Sequence, residues 1–410
     1  MAKQIDTFWT TSGRVDSFEF EIVSPNDFEK SLGYLTGVKG GSLTFGFDTD
    51  LKVSGSLDIS SSKYIENCVI RIHYKPKLSE SQKKDIILAT CFAYTDQMNF
   101  DKGRYYGTIE LVSTLARYTD DVLQTSFTIG KNKTYKNEFA RLLKRESTGG
   151  KYKFTSNVSD KKCTSAVAFE KGRPTIEVIQ AVADGLGGRV DVDAKGTLVI
   201  EKYFAPSKKS CSYILPSGQY SVMLPSIEID EAKSEMPNRV AYHCIASWSQ
   251  KDYVLDKNGK KQKYTSGANK GKYKTKTVEK QTAIVGKAQV KSSSSIHYNK
   301  RGRWNTQIFE YTKKISASKM DTAAKREKMF ADIKKEANSK AASKLSTLTA
   351  NKKKYTIECF YLPIKCGQVV EFEYIASGIK LHVQAMVTNI EMNLAVGARM
   401  KVTLKHVRYL

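Results

Sequence analysis

The chain has 410 residues, of which 40% are hydrophobic, so it can form several domains with ordinary cores, and global disorder is not expected. Its formal net charge is +25, which suits nucleic acid, anionic cell-wall polymers or an acidic protein partner. The N-terminal stretch lacks an apolar signal region, and no run approaches the roughly 18 apolar residues that span a bilayer. We therefore expect a protein made in the cytosol without stable membrane insertion.

The sequence of the first 120 residues predicts short strands almost throughout. Alternating runs are separated by Gly, Asn, Asp and Ser turns at roughly ten-residue spacing. The runs are SFEFEIVS, GSLTFGFDTD, LKVSGSLDIS, NCVIRIHYK, IILATCFAYTDQ and RYYGTIELVS. This pattern predicts a small barrel or sandwich over 1–120, with DFEKSLGYLTGVKGG as one helical turn or a loop.

Residues 121–236 predict a mixed α+β region. Thr134 can cap a helix whose apolar face is Phe139, Leu142 and Leu143. A second helix begins at Pro174 and stops at Gly187, and its apolar positions are Ile176, Ile179, Val182, Ala183 and Leu186. A hairpin follows, with arms 189–193 and 197–203 around a turn at 194–196.

Residues 237–410 predict a second β-rich region that contains one long helix over 321–348. The buried stripe of this helix is Met329, Phe330, Ile333, Ala337, Ala341 and Leu345. After it, Pro363 to Gly367 predicts a bend. The bend starts a strand with Val370, Phe372 and Tyr374 on one face and Glu371 and Glu373 on the other.

The residues predict no enzyme. GKNKT and GANKGKY do not complete a P-loop, and HExxH and GxSxG are absent from the sequence. The pairs Asp48/Asp50 and Asp191/Asp193 have the spacing of one strand face, about 7 Å. Both pairs abut turns, so we interpret them as solvated outer-face groups rather than a catalytic dyad. The five histidines are scattered and define no acid–base centre.

The cysteines number seven, an odd count, and no two of them form a CxxC pair, which favours reduced, mostly buried thiols. A metal site at His243–Cys244 is the weaker interpretation, because VAYHCIASW alternates as a strand does. We predict no metal site and no cofactor.

The candidate partner-contact segment is the lysine-rich stretch 251–276, which has nine lysines against Asp252 and Asp256. Like charges in a Gly- and Asn-bearing run should repel and stay extended until a partner neutralises them. The candidate contact residues are Lys257, Lys260, Lys261, Lys263, Lys270 and Lys272. Lysine rather than arginine dominates, which argues against specific nucleic-acid readout and leaves a solvated surface as the alternative.

The order of these elements resembles the baseplate hub or tail-tip proteins of long-tailed bacteriophages, including the hub-like N-terminal part of tail lysins. The resemblance follows GSLTFGFDTDLKVSGSLDIS, GTIELVSTLARYTDDVL, FTIGKNKTYKNEFARLLK, PTIEVIQAVADGLGGRVDVDAKGTLVIEKY, PNRVAYHC and LPIKCGQVVEFEY in that order and covers nearly the whole chain. It implies a mainly β fold, with two tail-tube-like β-barrel domains, 1–120 and 237–410, flanking the small α+β domain 121–236.

The resemblance also implies a function as a virion structural protein. The chain would be a homotrimeric hub that closes the distal end of the tail tube, anchors tip proteins and opens for DNA ejection. Its partners would be a distal tail protein or tail-tube ring, and a tail fibre, spike or receptor-binding protein for host attachment. The tape-measure protein and DNA passing through the lumen are further partners.

Two features depart from the family. Many relatives continue into a peptidase or lysozyme domain, whereas this sequence stops at Leu410, and the insert 251–276 has no counterpart that we can place. A cell-wall or glycan-binding module and, less favoured, a wall-degrading enzyme remain the alternative functions; the dispersed Trp9, Trp248 and Trp304 do not suggest a glycan platform.

Overall fold

The computed structural model describes residues 3–95, 97–146, 150–204, 206, 209–215, 222–231, 233, 235–349, 353–376 and 379–409. The chain divides into two compact units. Unit 1 comprises Met1–Asp230 and Lys353–Leu410, and unit 2 comprises Glu231–Lys352. None of the described helices combines the length and apolar character that crossing a bilayer requires.

The helices are α1 (Thr7–Thr10), α2 (Ala116–Thr119), α3 (Tyr135–Glu146), α4 (Thr175–Leu186), α5 (Tyr298–Arg301) and α6 (Ala323–Thr349). The strands are β1 (Lys3–Gln4), β2 (Phe18–Val23), β3 (Ser31–Tyr34), β4 (Val38–Gly46), β5 (Val53–Ser61), β6 (Cys68–Tyr74), β7 (Lys77–Ser79), β8 (Gln82–Lys83), β9 (Ile86–Tyr94), β10 (Met98–Asp101), β11 (Arg104–Ser113), β12 (Phe127–Ile129), β13 (Tyr152–Phe154), β14 (Val167–Phe169), β15 (Gly188–Val192), β16 (Leu198–Lys202), β17 (Cys211–Ile214), β18 (Met223–Asp230), β19 (Arg239–Tyr253), β20 (Thr275–Gln289), β21 (Thr306–Ile315), β22 (Lys354–Phe360), β23 (Val369–Ala376), β24 (Ile379–Asn393) and β25 (Arg399–Tyr409).

One 15-stranded sheet dominates unit 1. Its main path is β1-β17-β23-β24-β4-β5-β11-β9-β6-β2-β3, with β10 beside β11 and with β18, β22 and β25 branching from β24. The mainly β prediction is confirmed. Strands from the two ends of the chain meet where β24 pairs antiparallel with β4, Ile390 opposite Phe45. Among the described residues the strand pairings of this sheet do not close into a barrel.

The predicted bend and strand near the C-terminus are confirmed. Gly367 has a φ of 84°, which the absent Cβ permits. Val370 and Phe372 of β23 are fully buried, whereas Glu371 is only half-buried. The expectation for DFEKSLGYLTGVKGG is wrong, because residues 31–34 form β3 and pair with β2. β3 is the edge strand of the sheet, and it pairs with the strand that directly precedes it in the chain.

The region predicted as α+β has its own apolar core. Phe139 and Leu142 of α3 pack with Ile179 and Val182 of α4, all fully buried. Helix α4 stops at Gly187 as predicted, and the φ of 69° at this residue gives a left-handed C-cap. The hairpin β15–β16 follows as expected, with Val190 opposite Ile200. The domain boundaries 1–120, 121–236 and 237–410 stay predictions.

Unit 2 contains a three-stranded sheet in which β19 lies between antiparallel β20 and parallel β21. Helix α6 packs on this sheet. It buries Ile333, Ala337, Ala341 and Leu345, with Met329 and Phe330 partly buried beside them. The predicted stripe is therefore confirmed, and the surface beneath it is this small sheet.

A glycine permits the close approach of α6 to β20. A Cβ atom at Gly286 would lie 2.3 Å from the carbonyl carbon of Ala337 and 2.6 Å from the Ala337 Cβ. Real Cβ atoms do not approach backbone this closely, so any larger residue would push the helix away from the sheet.

Candidate functional site

The predicted contact segment folds at the end of the long β19–β20 hairpin. We call residues 254–274, which connect the two strands, the basic tip. Val254 donates its N–H to the Lys274 carbonyl at 3.0 Å, and Gln262 donates to the Val254 carbonyl at 2.8 Å. Lys274 in turn donates to the Gln262 carbonyl at 2.8 Å. The expectation of an extended segment is wrong, because backbone pairing folds the basic tip on itself.

The first turn of the basic tip depends on Asp256. Its Oδ1 accepts hydrogen bonds from the backbone N–H groups of Asn258 at 2.9 Å and Lys260 at 2.8 Å. Gly259 supplies the positive φ of 75° that this turn needs. The other acid of the segment, Asp252, pairs with Lys280 at 3.0 Å. Both carboxylates therefore have local partners, and the surface that remains is cationic.

Tyrosine rings hold part of the lysine charge close to the backbone. The Lys261 Nζ lies 4.0 Å from the centroid of the Tyr253 ring, and the Lys263 Nζ lies 5.0 Å from that of Tyr273. The two rings contact each other edge to face at 5.5 Å. Such cation–π contacts stabilise by about 0.5–1 kcal/mol each at exposed sites, and they offset the repulsion that the sequence suggested.

The structure places the six predicted lysines, Lys257, Lys260, Lys261, Lys263, Lys270 and Lys272, on the exposed surface of the basic tip. Within the described ranges none of them forms an ion pair with a carboxylate, so their charge faces solvent. Their role as partner contacts stays a prediction. Sequence reasoning missed the tyrosines of this site, although the spacing of Tyr253, Tyr264 and Tyr273 among the lysines was the available signal.

The four aspartates considered as dyads have different surroundings. Asp48 and Asp50 are exposed, as predicted. Asp193 accepts hydrogen bonds from the backbone of its own turn, including that of Thr197 at 2.9 Å. Asp191 is half-buried against Arg189 at 2.7 Å, and burial raises its pKa. The interpretation of Asp191 as a solvated outer-face group is wrong, because its strand borders a cavity of about 420 Å³.

His243 and Cys244 lie in β19, opposite Val285 and Ile284, as the strand interpretation predicted. All seven cysteines are free thiols, and burial raises the pKa of Cys91 to about 12, which keeps that thiol protonated. Within the described part of the chain, no group of three His, Cys, Asp or Glu side chains is arranged to hold a metal ion.

Solved tail proteins share this fold. The tail protein from Neisseria meningitidis MC58 is 10% identical, with a TM-score of 0.54 over 95% of this chain and 97% of that chain. The 43 kDa tail protein of prophage MuSo2 from Shewanella oneidensis is 11% identical, with a TM-score of 0.55 over 95% and 98%. No protein-family model and no curated protein sequence matches the chain. The chain thus has the fold of these tail proteins, and the predicted resemblance is confirmed at that level.

Proposed function

We propose that the protein is a structural component of a phage tail. More specifically, it acts as a homotrimeric baseplate hub at the distal tip of the virion. The observation that supports this role best is the extent of the shared fold, which covers 95% of this chain and nearly all of the two tail proteins. The hub closes the tail tube, anchors receptor-binding or tip proteins and opens for DNA ejection. In this role the chain is not an enzyme and needs no cofactor.

A symmetry argument supports the trimer. A sixfold tube ring can continue into a trimer if each subunit contributes two similar β-rich segments, here 1–115 and 238–410. The pairing of β24 with β4 supports this arrangement, because it joins strands from the two ends of one chain into a common sheet. The proposed neighbours are a tail-tube ring or distal tail protein on one side and a fibre, spike or receptor-binding protein on the other.

Oligomeric state tests the proposal. Native mass spectrometry of the full chain, alone and with the tail-tube protein of the same phage, should show a species of three chains of 46.0 kDa each. A strict monomer under both conditions, together with hydrolysis of purified cell wall, would overturn the hub and favour a wall-degrading enzyme. A monomer that binds wall polysaccharide without cleaving it would favour the glycan-binding module.

The basic tip is the proposed contact with a neighbouring tail-tip protein or the tape-measure protein. A protein partner fits better than DNA, because exposed lysines offer no base readout and a lumen that held DNA tightly would slow ejection. The exposed lysines should bind through screened charge, so the contact weakens as added salt shortens the Debye length from about 10 to 3 Å.

A charge-matched pair of variants tests this contact. The tip variant carries glutamine at Lys257, Lys260, Lys261 and Lys263, and its control carries glutamine at the exposed lysines Lys291, Lys328, Lys334 and Lys335. We expect the tip variant alone to lose tail assembly while its DNA binding matches that of the control. Normal assembly by the tip variant, with weakened salt-sensitive DNA binding, would make DNA the partner instead.

A further inference from the structure

The cavity beside Asp191 has an apolar wall and a charged end. It lies within unit 1, where residues of the β15–β16 hairpin and of the large sheet line a volume of about 420 Å³. The apolar wall comes from Phe45, Ile86, Leu88, Ile390, Met392 and Met400. Cavities of this size and character are the usual places where proteins bind small molecules.

The charged end carries more positive than negative groups. Lys365 and Asp193 belong to the cavity lining, but Lys365 is exposed and Asp193 pairs with Lys153 at 2.6 Å. The other charged lining residues are three cations, Lys52, Arg189 and Lys209, and the carboxylates of Asp191 and Glu201. Arg189 engages both carboxylates, through Nη2 to Asp191 at 2.7 Å and through Nε to Glu201 at 2.5 Å. Since the guanidinium of Arg189 pairs with both Asp191 and Glu201, Lys52 and Lys209 supply the excess positive charge.

Each of these lysines has a backbone carbonyl as its hydrogen-bond partner. The Lys52 Nζ donates to the Phe47 carbonyl at 2.9 Å, and the Lys209 Nζ donates to the Gly367 carbonyl at 2.7 Å. Neither lysine pairs with a carboxylate anywhere in the ranges that the structure describes. Burial is the main cause that lowers the pKa of both ammonium groups, and the nearby charge of Asp191 opposes it only in part. An ammonium has three N–H donors, so both retain donors for a ligand.

The backbone around this end is held in unusual geometry. Lys52 has a φ of 63°, a left-handed conformation that a lysine adopts at a cost. Gly367 is packed so closely that a Cβ would lie 2.6 Å from the Phe47 ring. The guanidinium of Arg189 lies 3.9 Å from the centroid of the same ring. The lysine head groups are therefore fixed by surrounding structure before any ligand arrives, which lowers the entropic cost of binding.

We propose that this cavity binds a small amphiphilic carboxylate. The head group lies between Lys52 and Lys209, and the apolar body lies along Leu88 and Met392. A single negative charge fits because the cavity lining has four basic residues against three acidic ones, whereas a phosphate dianion exceeds that balance. Because the hairpin and the sheet both line the cavity, the bound ligand stabilises their contact.

Calorimetric titration of the full chain with decanoate, below its micelle concentration, tests the proposal. We expect one saturable site and at least a tenfold weaker affinity for 1-decanol, which has the same chain without the charge. Lys52→Gln and Lys209→Gln should each weaken decanoate binding at least fivefold. Lys202→Gln is the matched control, because this exposed lysine lies on β16 next to Glu201 but does not line the cavity.

Three results would overturn the proposal: equal affinity for decanol, unchanged affinity in both cavity variants, or binding that does not saturate. Methyl NMR of the wild type keeps the test valid if a variant fails to fold. With ¹³C-methyl methionine, decanoate should shift the signals of Met392 and Met400, which line the cavity, and leave that of Met329 on α6 in place. Absence of shifts at Met392 and Met400 would also refute the site.

Discussion

Helices α4 and α6 follow the same helical period but are held to their units in different ways. In α4, six of 12 residues are buried, and most of them are large, such as Val178, Ile179 and Leu186. In α6, four of 27 residues are buried, and two of these are Ala337 and Ala341. Side-chain volume therefore fixes α4, whereas α6 depends on close backbone approach and on few large contacts. A long amphipathic pattern does not by itself indicate a strongly held helix.

Of the substitutions that test how α6 is held, Ile333→Asp should have the largest effect. The substitution places a charge in the apolar cluster that Ile333 forms with Cys244 and Trp248. Lost burial and an unpaired charge together should cost about 4 kcal/mol or more, and α6 should detach because its other buried residues are small or near one end. Hydrogen exchange along α6 measures this loss. Lys334→Asp at the exposed neighbouring position is the control and should remain protected.

The outcome for Phe330→Asp should be similar but weaker, because Phe330 is only partly buried against Trp248, at a ring distance of 5.7 Å. If the Ile333 and Phe330 variants both fold and assemble normally, the buried stripe of α6 has been assigned incorrectly.

Gly286→Ala should have the next largest effect. The added methyl group meets the backbone of Ala337 at a distance that no side-chain rotation can relieve. Overpacking of this kind costs about 1–3 kcal/mol, and here it acts on the helix that has the fewest large contacts to compensate. Denaturant unfolding measures the change. Ala283→Val adds bulk to an exposed position of the same strand and should stay within about 0.5 kcal/mol of wild type. Equal stability of both variants would show that α6 can move outward freely.

Elements with strong local signals were predictable from the sequence. Pro174 and Gly187 delimit α4, and the alternation after Gly367 specifies β23, because capping and side-chain period act over a few residues. The pairing of β24 with β4 was not predictable, since no local pattern sets the register between strands at opposite ends of the chain.

The candidate sites show the same limit. Charge counting located the lysines of the basic tip but not its fold, which depends on one aspartate cap and on lysine–tyrosine contacts. The cavity was missed altogether, because Lys52, Arg189 and Lys209 come from separate segments that only the tertiary structure brings together. Their spacing in the sequence carries no signal.

Asp256→Ala should have a smaller, local effect in unit 2. Loss of the two backbone hydrogen bonds to Oδ1 should destabilise the first turn of the basic tip by about 1 kcal/mol. Amide exchange at Asn258 and Lys260 should then speed up roughly fivefold, while the protection of α6 stays constant. Asp256→Asn keeps a carbonyl acceptor and is the control. Unchanged exchange in the alanine variant would mean that the tyrosine contacts alone maintain the turn.

Glu336→Gln, which removes a charge from the partly exposed side of α6, should have the smallest effect. Glu336 forms ion pairs with Lys313 of β21 and with Lys340 at 3.4 Å, and the hydrogen bond from Lys313 is the main cause that lowers the pKa of Glu336 below its ordinary value of 4.5. A lowered pKa in the folded state means that the stabilisation is present above pH 4.5 and is lost as the pH falls through the folded-state pKa.

The pair of Glu336 and Lys313 is partly exposed, so we expect it to stabilise the fold by only about 0.5 kcal/mol. The stability difference between wild type and Glu336→Gln should therefore be present at pH 7, shrink as the pH falls below 4.5, and be smaller in high salt. Glu327→Gln, at an exposed position of the same helix, should show no such pH dependence. A constant difference between wild type and Glu336→Gln across this pH range would show that the glutamate acts through packing rather than charge.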